Sequence, residues 1–143
     1  DLNGKPLNPM MNAGAILTTS LIDGEGDIPY QKILQMVRYI TKNPTIEINN
    51  SVYNSEKETG HKNRGMFYIM KNTGLIVANN EDKLDNYFRQ CSIEVTAEDL
   101  AKIGYFFANH CTRFDGDKKY YNKEISKLIE SQMLTAGMYE SSG

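Results

Sequence analysis

Apolar residues recur at helical spacing along most of the chain, and no stretch alternates clearly as a half-buried strand does. The clearest stripe belongs to the second predicted helix and consists of Ile33, Leu34, Val37 and Ile40. Asp27 precedes this helix as its cap, and Pro29 falls in its first turn. The helix ends at Asn43, because the residue before Pro44 is pushed out of the helical region.

Asn8 and Pro9 predict the start of an earlier helix. An asparagine side chain can cap a helix, and a proline at the first helical position loses no hydrogen bond. This helix is expected to run through Leu21 or Ile22 and to stop at residues 23–26, which contain two glycines.

The middle of the chain predicts a third helix, which begins near residues 51–54 and runs to Lys71. A polar loop at residues 45–52 precedes it, with a brief extended piece at 46–48. Gly60 weakens this helix by about 1 kcal/mol and indicates a place where it could break. Residues 75–78 are apolar but too few to assign to a helix or a strand.

Polar residues mark the starts of the remaining helices. Asn80 caps a fourth helix, Thr96 and Asp99 have the spacing of a capping box, and Asn122 caps the last helix. The stripes predicted to be buried are Leu100, Ile103, Phe106 and Phe107 in one helix and Ile125, Leu128, Ile129 and Met133 in the last. The pattern as a whole predicts a mainly α fold.

The bulk composition narrows the class of protein. The 143 residues suffice for one domain with a core. A net charge of -2 without a basic stripe argues against nucleic acid, and a mean hydropathy of -0.52 without a long apolar run argues against a membrane span. Cys91, Cys111, His61 and His110 lack metal-ligand spacing, so no metal site is expected, and both cysteines are predicted to be reduced and buried.

Residues 8–16 and 55–64 place amide side chains beside small residues or a carboxylate, where a plain core would carry hydrophobes. Glu56 and Asn63 lie seven residues apart, so an unbroken helix would put both on one face. A carboxylate and an amide there could bind the ammonium and carboxylate of a free amino acid. A solvated helix start explains the same two residues, and close packing around a hydrogen-bonded Asn12 explains residues 12–15. The residues alone leave these alternatives open.

Four segments resemble blocks of the serine-dependent glutaminases, β-lactamase-like enzymes that hydrolyse L-glutamine to glutamate and ammonia. Residues 8–16 are similar to the signature Asn-Pro-Met-x-Asn-Ala-Gly-Ala-Ile, and residues 55–64 to Ser-Glu-x-x-x-Gly-x-x-Asn-Arg. Residues 87–96 and 133–140 resemble two further blocks in the same order and at fitting distances. The chain departs from the family at His110 and Cys111, where members often have two glycines.

The resemblance implies a fold, a domain assignment and a set of site residues. Residues 1–143 would be a single helical segment of a glutaminase catalytic domain, truncated at both ends. It would be the helical subdomain of a β-lactamase/transpeptidase-like fold, with the flanking α/β sheet part missing. The implied substrate-binding residues are Asn12, Glu56, Asn63, Tyr87 and Tyr139, and Tyr139 is also a candidate proton relay. The implied partners are L-glutamine and further copies of the chain in a dimer or tetramer, without a metal or organic cofactor, in the cytoplasm.

The nucleophile that the resemblance implies is absent from this chain. Glutaminases attack the amide with a serine activated by a lysine in Ser-x-x-Lys, and no serine here has a lysine three residues later. In the family this motif precedes the Asn-Pro-Met block, so the isolated segment is expected to be inactive. One alternative is a non-catalytic helical interaction module derived from the same fold. A penicillin-recognising serine hydrolase is another, although the chain contains neither Ser-Asp-Asn nor Lys-Thr-Gly.

Overall fold

The computed structural model describes residues 5–78 and 81–136 of the chain. Over these residues the regular secondary structure is helical, apart from one isolated antiparallel bridge between Ile48 and Ile93. The helices are α1 (Asn12–Ser20), α2 (Ile28–Thr41), α3 (Asn50–Thr59), α4 (His61–Asn72), α5 (Asp82–Cys91), α6 (Ala97–Ala108) and α7 (Lys123–Thr135). The prediction of a mainly α fold is confirmed.

Side-chain caps explain where several of these helices begin. Thr96 and Asp99 form the predicted capping box of α6, in which each side chain accepts a hydrogen bond from the other residue's backbone amide. Asn122 caps α7 as predicted, and Asn49 caps α3, which the sequence analysis did not anticipate. Each such cap contributes about 1 kcal/mol to helix stability. Asn80, predicted to cap the fourth helix, lies outside the described residues.

The predicted start of the first helix is wrong by about one turn. The side-chain oxygen of Asn8 accepts hydrogen bonds from the backbone amides of Met10 and Met11 at 2.9 and 3.1 Å. Asn8 therefore closes a turn, and α1 begins after Met11, at Asn12. An asparagine that bonds the amides two and three residues later has the same local pattern in a turn as in a helix cap. This ambiguity explains the error.

The region predicted as a third helix is two helices, α3 and α4, which meet at Gly60. A Cβ atom on Gly60 would lie 2.5 Å from the backbone oxygen of Glu56 and 2.8 Å from the ring of Phe88. The missing side chain therefore lets the turn lie directly on α5. Glu56 and Asn63 do not share one unbroken helix, so the argument that placed them on a common helical face is wrong.

Helix α5 lies at the centre of the described fold and packs against α1, α2, α3 and α4. The largest core cluster surrounds it and includes Ile16, Phe67, Leu84 and Phe88, all of them almost completely buried. Burying a side chain of this size stabilises the fold by about 1.5–3 kcal/mol relative to exposure. Helices α2 and α6 also pack against each other, and they bury Phe106 in a separate cluster.

Several positions predicted to be buried lie at the surface. Leu100 on α6 is exposed, as are Ile125, Leu128 and Met133 on α7, where Ser126 is the one fully buried residue. Helical spacing defines an apolar face but does not supply an element to cover it. Over the described residues, α7 packs chiefly against α6 and presents the remainder of its apolar face to solvent.

The turn after α6 has an unusual backbone. His110 and Cys111 have φ values of 53° and 59°, in the left-handed region that favours glycine. These are the positions at which members of the resembled family often have two glycines. The departure in sequence therefore leaves the turn in a conformation that two glycines would adopt without strain.

The described residues contain neither a membrane-spanning helix nor a metal-binding cluster. Over residues 5–78 and 81–136, no helix is long and apolar enough to cross a membrane. Within the same residues, no group of three or more histidine, cysteine or acidic side chains is arranged to hold a metal ion.

Candidate functional site

The predicted site residues that the structure describes lie on four different helices. Asn12 opens α1, Glu56 is on α3, Asn63 is on α4 and Tyr87 is on α5. Three of these helices, α1, α3 and α4, pack against the fourth, α5. Tyr139 lies outside the described residues. The fold thus brings to neighbouring helices residues that are far apart in the sequence.

Asn12 and Asn63 are in direct contact. The Nδ2 atom of Asn12 donates a hydrogen bond to Oδ1 of Asn63 at 3.3 Å. Asn12 is exposed, whereas Asn63 is only 8% exposed. This bond uses the Asn63 oxygen and orients its amide nitrogen, which has two protons to donate. The pair therefore keeps amide protons that can be donated to an anionic group.

Small residues after Asn12 hold it against the preceding turn. A Cβ atom on Gly14 would lie 1.9 Å from the backbone oxygen of Asn8, closer than real atoms approach. Only glycine therefore fits at this position, and residues 8–11 fold back over the start of α1. Close packing at residues 12–15 is therefore present, as the alternative explanation of this segment required, but Asn12 is exposed and bonds the side chain of Asn63.

Tyr87 is 5% exposed and packs in the large core cluster around α5. Its hydroxyl hydrogen-bonds the thiol of Cys91, one turn later on the same helix. Burial of the sulfur raises the pKa of this thiol, the Tyr87 bond lowers it, and the negative charge of Glu56 raises it, so that the net shift is upward. Glu56 itself lies on α3, which packs against α5.

Cys91 is the residue beside the candidate site that the sequence analysis missed. It is a free cysteine and the residue as a whole is exposed, so its predicted burial is wrong, although protein atoms around the sulfur still raise the pKa of the thiol. Cys111 is buried as predicted. Its place directly inside the third resembled block, four residues after Tyr87, was the available signal. Residues four apart on a helix lie on the same face.

A charged network joins α3 to α5 next to the candidate site. Oδ1 of Asp85 accepts a hydrogen bond from the Tyr53 hydroxyl at 2.6 Å and pairs with Nζ of Lys57 at 2.9 Å. Oδ2 of Asp85 accepts from Nε of Arg89 at 2.7 Å. Burial works against ionisation of Asp85, but the bonds from Tyr53, Arg89 and Lys57 outweigh it and hold the pKa of this carboxyl below its usual range.

Arg64, to which the sequence analysis gave no role, has structural contacts. Its guanidinium donates to the backbone oxygen of Lys57, lies 3.6 Å from a carboxylate oxygen of Glu81 and covers the ring of Phe88. These contacts connect the two sides of the break at Gly60 to α5. Arg64 therefore stabilises the arrangement of α3 and α4.

The arrangement has the groups needed to bind a small zwitterion. Glu56 offers an acceptor-only carboxylate on α3, Asn12 and Asn63 offer amides that contact each other, and Tyr87 offers a phenol on α5. The chain contains no serine followed three residues later by lysine, so an activated nucleophile of that type is not among its 143 residues. By itself, this arrangement is suited to binding and positioning.

Comparisons with known proteins assign the chain to one family over its entire length. Residues 1–143 match the Glutaminase family. The chain is 47% identical over 140 residues to Glutaminase 2 of Clostridium perfringens (strain 13 / Type A), covering 97% of this chain and 46% of that protein. It is 46% identical over 141 residues to Glutaminase of Clostridium botulinum (strain Kyoto / Type A2), again covering 97% and 46%. The chain therefore spans about half the length of the curated relatives it matches.

Solved structures have the same helical arrangement. The probable glutaminase of Bacillus subtilis is 35% identical and superposes with a TM-score of 0.88, over 97% of this chain and 45% of that one. The same protein complexed with 6-diazo-5-oxo-L-norleucine superposes with a TM-score of 0.87, over 99% of this chain and 46% of that one. The helices described above thus correspond to a helical part of those structures.

Proposed function

Since the chain belongs to the glutaminase family, we propose that it forms the helical, substrate-binding part of an enzyme that hydrolyses L-glutamine to L-glutamate and ammonia. In this proposal residues 1–143 are a single segment of one catalytic domain. A serine outside the segment attacks the side-chain amide and forms a γ-glutamyl ester while ammonia leaves. Water then hydrolyses the ester, releasing glutamate and restoring the serine.

The observation that carries the proposal is the direct contact between Asn12 and Asn63, on helices that pack against the one carrying Tyr87. These residues come from three of the four blocks that resemble glutaminases. A second support is the complex of the Bacillus subtilis protein with 6-diazo-5-oxo-L-norleucine, an amino-acid-like compound, in a structure whose helices superpose on this chain.

Each side chain has a chemical role in this proposal. The carboxylate of Glu56 binds the ammonium of glutamine, and the amides of Asn12 and Asn63 donate to its carboxylate. Tyr87 borders the bound substrate, and Tyr139 binds the substrate and relays a proton to the departing ammonia. Glutamine must lose its water shell to bind, so each of its charged ends requires a partner of this kind.

The proposal extends to the setting of the enzyme. We expect it to act in the cytoplasm as a homo-oligomer, either a dimer or a tetramer. Sedimentation of the complete protein, meaning the protein that carries this segment with the whole catalytic domain, checks the oligomeric state. A monomer at micromolar concentration would contradict that part of the proposal.

The activity is tested by measuring ammonia release from L-glutamine by the complete protein and by its Glu56→Ala variant. Removal of the carboxylate leaves the substrate ammonium without a partner, so we expect kcat/KM to fall by about 100-fold or more. Glu58→Ala is the matched control, because Glu58 is exposed on the same helix, two residues later and so about 200° around it.

The outcomes separate the alternatives. Ammonia release that Glu56→Ala strongly reduces and Glu58→Ala leaves unchanged supports the proposal. A complete protein that releases no ammonia contradicts it and favours the non-catalytic interaction module. An active protein with a near-normal Glu56→Ala variant retains the reaction but removes Glu56 from the site.

A further inference from the structure

We propose that Asp85 is a positioning residue for glutamine binding: through Lys57 and Tyr53 it holds α3 against α5 and so fixes the position of Glu56, the residue before Lys57 on α3. The inference rests on the proposed function, because it assigns Glu56 to the substrate. Asp85 itself does not contact the substrate in this proposal. It acts by setting the position of the neighbouring helix.

Helix α5 has two faces that serve different partners. Asp85 and Arg89 lie four residues apart and form one stripe, while Tyr87 and Cys91 form another. The two stripes are offset by two residues, which is about 200° around a helix. Asp85 and Arg89 are therefore the residues of α5 that hold α3, whereas Tyr87 lies on the other stripe.

Helix α3 contacts the Asp85 stripe of α5 through a matching stripe of its own. Tyr53 and Lys57 are also four residues apart, and both reach the same oxygen of Asp85, at 2.6 and 2.9 Å. Lys57 in turn donates to the Tyr53 hydroxyl at 3.1 Å. Glu56 immediately precedes Lys57 in the chain, so the position of Glu56 depends on where this stripe is held.

The Asp85 carboxylate connects α3 to α5 from a position that is largely shielded from solvent. Only 23% of the Asp85 side chain is exposed, and its two oxygens serve partners on both helices. The Arg89 guanidinium also covers the Tyr53 ring, 4.9 Å from its centre. Without the carboxylate, Lys57 and Arg89 would face each other as two cations across the junction of α3 and α5. That repulsion would move α3 away and carry Glu56 with it.

The functional consequence is a change in substrate affinity with little change in the chemical step. A preorganised Glu56 binds the substrate ammonium without first being ordered, whereas a displaced helix has to be brought back as glutamine binds. We therefore expect Asp85→Asn to raise the KM for L-glutamine roughly tenfold and to leave kcat within about twofold.

The chain offers a closely matched control in Asp117. Its carboxylate accepts a hydrogen bond from the Tyr39 hydroxyl at 2.6 Å and lies 3.1 Å from Nη2 of Arg113, so it repeats the tyrosine, aspartate and arginine arrangement. This second network joins α2 to the loop before α7 and has no partner on α3. Asp117→Asn should lower the melting temperature without changing KM.

A double-mutant cycle with Glu56→Gln distinguishes positioning from general stability. If Asp85 acts through Glu56, the KM of the Glu56→Gln/Asp85→Asn variant should equal that of Glu56→Gln alone within about twofold. Lys57→Gln is a second, milder test in case Asp85→Asn does not fold, and we expect it to raise KM about threefold. All assays use ammonia release by the complete protein, well below the melting temperature of each variant.

The outcomes are distinct for the inference and for the proposed function. A normal KM in Asp85→Asn and Lys57→Gln, when Glu56→Gln is impaired, overturns the inference and leaves the proposed function standing. The inference is also overturned if the effects of Asp85→Asn and Glu56→Gln on KM are fully additive in the double-mutant cycle. A normal Glu56→Gln variant in an active protein also overturns the inference, because Glu56 is then not a substrate contact, but it leaves the glutaminase reaction standing. A complete protein that releases no ammonia overturns the proposed function itself.

Discussion

The side-chain amide of Asn12 donates a hydrogen bond to the side-chain oxygen of Asn63 at 3.3 Å, although 51 residues separate the two in the chain. The bond connects the first turn of α1 to a nearly buried position on α4. It uses the oxygen of Asn63 and leaves the amide protons of Asn63, and one amide proton of Asn12, available to other acceptors. The donors proposed to bind the substrate carboxylate are therefore fixed by the fold before substrate arrives.

Asn63→Asp tests whether this pair binds a carboxylate. The new side chain still has an oxygen to accept the bond from Asn12, so the fold should be retained. It replaces an amide donor with a negative charge, which repels the substrate carboxylate. We expect the KM for L-glutamine in the complete protein to rise about tenfold or more, since the position is nearly buried and poorly screened.

Asn54→Asp is the control for added charge, because Asn54 is exposed on α3. It should leave KM unchanged. If Asn63→Asp keeps a normal KM while its melting temperature is also normal, the carboxylate of glutamine does not lie against this pair.

Substitution by alanine is predicted to change the stability of the protein in opposite directions at Gly60 and Gly65. A Cβ atom on Gly60 would be 2.5 Å from the Glu56 carbonyl oxygen, so Gly60→Ala should destabilise the protein by about 1–3 kcal/mol. Gly65 lies inside α4, and a Cβ atom there would meet nothing within 4 Å. Gly65→Ala should therefore stabilise by about 0.5–1 kcal/mol, the ordinary gain of alanine over glycine in a helix.

Urea unfolding of the two alanine variants of the complete protein checks this pair. A stabilising Gly60→Ala would show that α3 and α4 do not meet α5 as closely as described. Because the clash involves the backbone of Glu56, Gly60→Ala should also raise KM, whereas Gly65→Ala should not.

Local chemistry made part of the fold predictable. The box of Thr96 and Asp99 and the cap at Asn122 need only residues close in sequence, and both were predicted where they occur. Asn8 was assigned wrongly because a turn and a helix cap use the same side-chain bond. The exposure of Leu128 was missed because its surroundings depend on elements that helical spacing does not specify.

Less of the candidate site than of the fold could be predicted from the sequence. No sequence feature near Asn12 or Asn63 indicates that the two residues are in contact. Only the resemblance to glutaminases assigned both residues to the binding of one ligand. Glu56 was linked to Asn63 by assuming a continuous helix, which the break at Gly60 removes. The Asp85 network was not predicted at all, since its members look like ordinary surface charges until α3 and α5 are packed together.

Tyr30 and Tyr53 test how much a hydrogen bond to a buried tyrosine hydroxyl contributes to the stability of the protein. The Tyr30 hydroxyl is buried without a hydrogen-bond partner among the described residues, whereas the Tyr53 hydroxyl bonds Asp85. Tyr30→Phe removes an unsatisfied group and should leave the stability unchanged or raise it by about 1 kcal/mol. Tyr53→Phe removes a bond to a charged group and should cost about 1.5–3 kcal/mol.

Thermal and urea unfolding of the complete protein measure both tyrosine variants. The two substitutions delete the same atom from buried tyrosines, so their difference isolates hydrogen bonding from packing. A loss of stability in Tyr30→Phe as large as that in Tyr53→Phe would show that the Tyr30 hydroxyl is bonded after all, for example to a buried water molecule.

The ionised form of Asp85 should make the protein sensitive to acid. Its pKa is lower in the folded state than the value of about 3.9 expected in an unfolded chain. A depressed carboxyl pKa contributes stability that is fully present above the unfolded pKa and is lost as pH falls through the folded pKa. The difference in unfolding free energy between wild type and Asp85→Asn should therefore be constant from about pH 7 to 5 and shrink below about pH 4. Urea unfolding of both complete proteins at pH 7, 5 and 3.5 measures it, and a difference that widens in acid would contradict the assignment of Asp85 as an ionised, hydrogen-bonded group.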